Sequence, residues 1–214
     1  MSGAPAMSES AALRGNIGAV VIGASAGGVG ALSVLLPALP EDCMAPVFVV
    51  IHLPRDRPSL LVDVFAHKCS LKVREAQDKE PVAAGTVYFA PANYHLLLDQ
   101  GPQLALSADD LVHHSRPSID VLFESAADVY RERLLGIILT GANEDGAAGL
   151  AAVHDAGGIT VVQAPETAQS PLMVLSALKL RPPDLVLPLD EIAALLRTLR
   201  AHAVRGPMDD STSG

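Results

Sequence analysis

Apolar residues in this chain gather into short unbroken runs instead of alternating with polar ones. Gly18–Gly23, Pro46–His52 and Leu134–Leu139 are nearly continuous apolar segments, the pattern of strands buried on both faces of a parallel sheet. Shorter runs at Leu71–Arg74, Ile159–Val162 and Leu185–Leu187 read the same way. Amphipathic stretches lie between them and predict helices over Gly27–Leu36, Ser59–Lys68, Ser118–Tyr130, Asp145–Ala156, Thr167–Leu178 and Leu189–His202. Strand and helix in alternation predict an α/β fold: a doubly wound, mostly parallel sheet with helices on both faces. Residues 81–107 break the alternation. Thr86–Ala90, His95–Asp99 and Gln103–Ser107 are separated only by Pro91-Ala92-Asn93 and Gly101-Pro102, so closely spaced turns predict antiparallel hairpins appended at one edge. Residues 1–15 and 204–214 are rich in small and polar residues and read as disordered tails around one domain spanning 16–203.

Composition narrows the function classes. Of 214 residues, half are hydrophobic and 18% are charged, enough apolar content for a full core. There is no Trp, and only three Tyr and four Phe, which argues against a stacking platform for single-stranded nucleic acid. A net charge of −9 opposes phosphate-backbone binding, so no nucleic-acid partner is expected. Cys43 and Cys69 are too few and too far apart for a disulfide framework or a cysteine zinc site. Met1 to Asn16 lacks the basic head and apolar stretch of a signal peptide. No apolar run reaches the ~20 residues that cross a bilayer. A cytoplasmic protein without membrane insertion is the expectation.

Three strand ends carry candidate chemistry. Gly23-Ala24-Ser25-Ala26-Gly27 has the form G-x-S-x-G between a strand and a helix. Small neighbours permit a tight turn that exposes the hydroxyl, and the helix amino end offers unpaired N–H groups to an oxyanion. The same glycines suit a phosphate cradle, but Gly23, Gly27 and Gly30 are spaced G-x-x-x-G-x-x-G and the second strand ends in His52 where a dinucleotide site places an acid. His52 next door to Ser25 suits a general base. Asp145 opens a helix; it either caps that helix or orients the imidazole, and Glu144 beside it is a rival carboxylate. His67, His95, His113, His114, His154 and His202 show no metal spacing, with His113-His114 reading as a loop pair. No metal or cofactor is expected.

Ile22-Gly23-Ala24-Ser25-Ala26-Gly27-Gly28, His52-Leu53-Pro54, Arg116-Pro117-Ser118-Ile119-Asp120-Val121-Leu122-Phe123 and Leu139-Thr140-Gly141-Ala142-Asn143-Glu144-Asp145-Gly146 together resemble the catalytic domain of the chemotaxis methylesterases, the CheB family. The likeness runs collinearly from about Asn16 to Leu199. It implies hydrolysis of γ-glutamyl methyl esters on chemoreceptor cytoplasmic helices, with glutamine deamidation as a companion activity. It implies Ser25 as nucleophile, His52 as base and Asp145, not Glu144, as orienting acid. Backbone N–H groups of Ala26 and Ala142 fall at oxyanion positions, and Arg116 and Met173 are candidate substrate-facing residues. The chain departs from the family's common Met-Gly-x-Asp-Gly acid loop at Ala142-Asn143-Glu144-Asp145-Gly146, carries Ala26 where some members have Thr, and follows Met173 with Val174 instead of Pro. Many members carry a phosphorylatable receiver domain ahead of this one, so control by phosphorylation within these residues is not expected. The rival readings are a noncatalytic protein-binding module of a signalling complex and a nucleotide-binding domain.

Overall fold

The structure is a computed structural model that describes residues 17–52, 60–101 and 103–199. The predicted tails and the start of the helix expected from Ser59 lie outside these residues, and the helix expected to reach His202 ends at Leu196, within them. The elements in order are β1 Ala19–Ala24, α1 Gly28–Leu35, β2 Val47–Ile51, α2 Leu61–Ala66, β3 Lys72–Glu75, β4 Thr86–Phe89, β5 His95–Asp99, β6 Gln103–Ser107, α3 Ile119–Tyr130, β7 Leu134–Ile138, α4 Ala147–Asp155, β8 Ile159–Gln163, α5 Leu172–Leu180, β9 Leu185–Leu187 and α6 Leu189–Leu196. Seven strands form one parallel sheet in the order β3-β4-β2-β1-β7-β8-β9.

The continuous apolar runs are explained by burial on two faces. Val20, Ile22, Val47, Val49, Leu135 and Ile137 pack on the side of α1, α2 and α6, whereas Val21, Phe48, Val50, Leu134 and Ile138 pack on the side of α3, α4 and α5. The chain winds away from β1 through β2 and returns to its other side at β7. In such sheets ligands bind outside the carboxyl ends of the strands at the point of reversal, here those of β1 and β7.

Two segments differ from the reading of the sequence. Thr86–Phe89 was grouped with the hairpins by its turn spacing, yet it enters the parallel sheet between β3 and β2. Its residues are all buried, and burial between two strands outweighs the nearby turns. Only β5 and β6 form the antiparallel hairpin, as a separate two-stranded sheet whose Leu96, Leu98 and Leu104 share a core with α3. The helix expected from Thr167 begins instead at Leu172. Residues before it are drawn to the β7 loop, where Gly141 N–H donates to Ser170 O at 2.9 Å and Ser170 N–H donates to Thr140 Oγ1 at 2.9 Å.

Candidate active site

Parallel pairing sets the first two candidates side by side. Ala24 is in register with Ile51, so Ser25 and His52 are the residues immediately beyond a matched pair of strand ends. His52 N–H continues the ladder by donating to Ala24 O at 3.1 Å, and neighbouring strands are about 4.8 Å apart. Ser25 N–H donates to Thr140 O at 2.9 Å, tying the serine turn to the end of β7. Gly27 closes that turn at φ 82°, a left-handed conformation suited to glycine. Thr140 Oγ1 braces the same turn by donating to Ala26 O at 2.8 Å while accepting from Ser170 N–H. Thr140→Val removes both bonds inside a buried contact. Its expected effect is a loss of about 1–3 kcal/mol in stability by urea denaturation.

Asp145 is fully buried and accepts four hydrogen bonds. Ser118 Oγ donates to Oδ1 at 2.8 Å, Asp120 N–H to Oδ1 at 3.0 Å, Ile119 N–H to Oδ2 at 2.8 Å and His52 Nε2 to Oδ2 at 2.9 Å. Burial by itself would raise the carboxyl pKa, but the bonds from His52, Ile119 and Asp120 hold it below the ordinary value. An ionised Asp145 has only acceptors, so His52 Nε2 carries a proton, and in the neutral ring Nδ1 presents the lone pair. The expected local cap of α4 is absent: Gly146 precedes that helix with no side-chain cap, and Asp145 reaches across to the amino end of α3. Glu144 is exposed and contacts His113 Nδ1 at 3.3 Å, which separates it from His52.

The remaining candidates divide. Ala26 and Ala142 are exposed, and their N–H groups donate to none of the described residues. Asn143 Nδ2 approaches His52 Nδ1 at 3.4 Å and Ser115 Oγ at 3.4 Å, while its Oδ1 is buried without a partner among the described residues. Ser25 Oγ makes no hydrogen bond to His52 in this conformation; such bonds commonly tighten only with substrate bound. Arg116 is folded back on its own loop, donating from Nη1 to Ala108 O at 2.6 Å and Asp109 O at 2.7 Å. Met173, expected to face substrate, is instead fully buried under Gly141, where an added Cβ would lie 2.6 Å from its sulfur.

A Cβ at Gly23 would meet Ile119 at 2.4 Å, so its missing side chain admits the amino end of α3. Among the described residues, no group of three or more His, Cys, Asp or Glu is placed to hold a metal ion, and no helix is long and apolar enough to cross a membrane.

The model of the CheB methylesterase family matches residues 20–196. The chain belongs to the CheB methylesterase family. The catalytic domain of Thermotoga maritima CheB methylesterase superposes with a TM-score of 0.80 at 34% identity, covering 84% of this chain and 97% of that one. A Leptospira interrogans protein provisionally named protein-glutamate methylesterase/protein-glutamine glutaminase is 44% identical over 84% of this chain and 93% of its own length. The Anaeromyxobacter dehalogenans protein-glutamate methylesterase/protein-glutamine glutaminase 2 is 43% identical over 84% of this chain, but over only 52% of its own length. Similarity to CheB therefore spans the whole parallel sheet and every strand end that carries a candidate residue.

Reading residues singly missed Ser118, Asp120, Thr140 and Asn143. The segment Ser118-Ile119-Asp120 has the form of a local helix start. Its hydroxyl and amides serve Asp145, which is 25 or more residues later, and no local pattern encodes that pairing.

Proposed function

We propose that this CheB-family domain is a cytoplasmic serine hydrolase that demethylates γ-glutamyl methyl esters on the cytoplasmic helices of chemoreceptors. Glutamine deamidation on the same helices is the companion reaction. The observation that carries the reading is the bond from His52 Nε2 to the buried, fourfold-bonded Asp145, with Ser25 one strand away.

In the proposed reaction Ser25 rotates about its single side-chain torsion toward His52 Nδ1, displacing the long contact from Asn143. Nδ1 takes the hydroxyl proton as Oγ attacks the ester carbonyl. Asp145 stabilises the imidazolium that results. The N–H groups of Ala26 and Ala142, at the amino end of α1 and beyond β7, receive the oxyanion. Collapse of the tetrahedral intermediate breaks the acyl–oxygen bond, and methanol leaves with the proton from Nδ1. Water then attacks the acyl-serine through the same base, releasing the glutamate carboxylate and restoring Ser25. With glutamine as substrate, ammonia is the leaving group.

Incubation with a receptor cytoplasmic fragment carrying glutamate methyl esters should release methanol, and a fluorophosphonate should label Ser25 alone and block that release. Absence of both under native conditions would turn the reading toward a protein-binding module of a signalling complex.

A further inference from the structure

Asp120 is a second buried carboxylate beside the candidate triad, and the reaction above does not use it. It lies in the first turn of α3, 4% exposed, and its Oδ1 accepts from Gly146 N–H at 2.9 Å and Gly149 N–H at 2.6 Å. Those amides belong to the start of α4, while Asp145, just before α4, accepts from the amides at the start of α3. Each helix start is thus held by an aspartate delivered by the other. Gly149 makes the approach possible, because a Cβ there would stand 2.9 Å from Asp120 Cα.

The other oxygen of Asp120 faces a histidine that the backbone holds under strain. His113 Nε2 is 3.4 Å from Asp120 Oδ2, and His113 Nδ1 is 3.3 Å from Glu144 Oε1. His113 and His114 occupy left-handed φ values of 47° and 63°, between Val112 and Ser115, which exchange both backbone hydrogen bonds. Two consecutive non-glycine residues in that conformation are costly, and the turn brings an imidazole to Asp120.

We propose that Asp120 is a positioning residue which, with His113, holds the loop carrying Asp145 in register with His52 and makes that register respond to pH. The inference rests on the triad reading above. Burial raises the Asp120 carboxyl to about 6; the Gly149 amide and His113 oppose the rise, while the charges of Asp145 and Glu124 add to it. Glu144 lies beyond His113, His52 beyond Asp145, and His95 of β5 on the far side of Ser118. Lys179 and Ser176 of α5 share with Asp120, His113 and Glu144 a cleft of about 470 Å³ through which a proton can enter.

The two consequences of protonation have opposite signs. A neutral Asp120 loses its attraction to the amino end of α4, so the Asp145 loop loosens and turnover falls. The folded state, however, takes up this proton more readily than the unfolded chain. The cost of burying the charge, present in full above pH 6, is relieved as pH falls from about 6 toward the ordinary carboxylate value of 3.8.

The test compares wild type, Asp120→Asn and Asp120→Ala on a methyl-esterified receptor fragment from pH 5 to 8.5, with melting temperatures and the proton NMR resonance of His52 Nε2–H. Asp120→Ala should lower kcat at pH 8 by about 10–100-fold with KM little changed. Asp120→Asn keeps an acceptor for both amides but no charge, and should recover only part of that loss. Below pH 6 the wild-type kcat should fall with one ionisation more than that of Asp120→Asn, while the wild type gains melting temperature relative to Asp120→Asn. Identical acid limbs in those two proteins, or wild-type kcat in Asp120→Ala, would overturn the proposal. Should Asp120→Ala not fold, the acid limb of Asp120→Asn decides. Should the wild type release no methanol, the triad reading fails by itself and the His52 resonance decides. Displacement in Asp120→Ala, with a smaller displacement in Asp120→Asn at pH 8, supports positioning; one resonance common to all three overturns it.

Discussion

Ser25→Ala should lower methanol release by at least about 10⁴-fold while leaving the fold intact. The size follows from losing covalent catalysis altogether: in the proposed reaction His52 and Asp145 act only through the hydroxyl they activate, and oxyanion donors without a nucleophile retain little rate. The harmlessness to the fold follows from the contacts. Ser25 is braced through its backbone, by N–H donation to Thr140 O at 2.9 Å and by its carbonyl accepting from Gly28 N–H at 2.8 Å, and alanine keeps both. Stability should change by less than about 0.5 kcal/mol. Near-normal turnover in this variant would show that another group attacks the ester.

Asp145→Asn is expected to damage both rate and fold. The amide offers one acceptor oxygen where Ser118, Ile119, Asp120 and His52 supply four donors, so its NH₂ must face donors whichever way it is turned. Wrong-tautomer imidazole and lost charge together predict about a 10⁴-fold fall in kcat. Buried donors left unpaired predict about 2–4 kcal/mol less stability at pH 7. The pH dependence has a definite sign. Because the folded pKa lies below the ordinary value of 3.8, the stabilisation is complete above that value and disappears as pH falls through the lower folded pKa. Urea denaturation should therefore show the gap between wild type and variant persisting at pH 5 and closing only in stronger acid. A gap unchanged at pH 2–3 would mean the carboxylate charge contributes nothing there.

Legibility of the site differed from residue to residue. Ser25 and His52 follow apolar strands that pair in register, and strand periodicity together with G-x-S-x-G was enough to suggest them. Asp145 was seen as a candidate, but spacing alone left it level with Glu144 and left open whether it caps its own helix or orients the imidazole. The resemblance to the family separated the two carboxylates; the folded chain adds why, since Asp145 is buried against α3 while Glu144 remains in solvent beside His113. Met173 went the other way: it fills the space beneath Gly141 and is fully buried.

By itself the amino-acid order determined the alternation of strand and helix, the α/β class and the residue types at each strand end, because hydrophobic period and turn chemistry are local properties. Only the tertiary structure decided that β4 lies inside the parallel sheet, that the chain reverses between β1 and β7, and that α3 and α4 exchange Asp120 and Asp145 across their amino ends. Those outcomes depend on which buried surfaces and unpaired amides meet across 25 or more intervening residues, and that is a matter of packing in three dimensions.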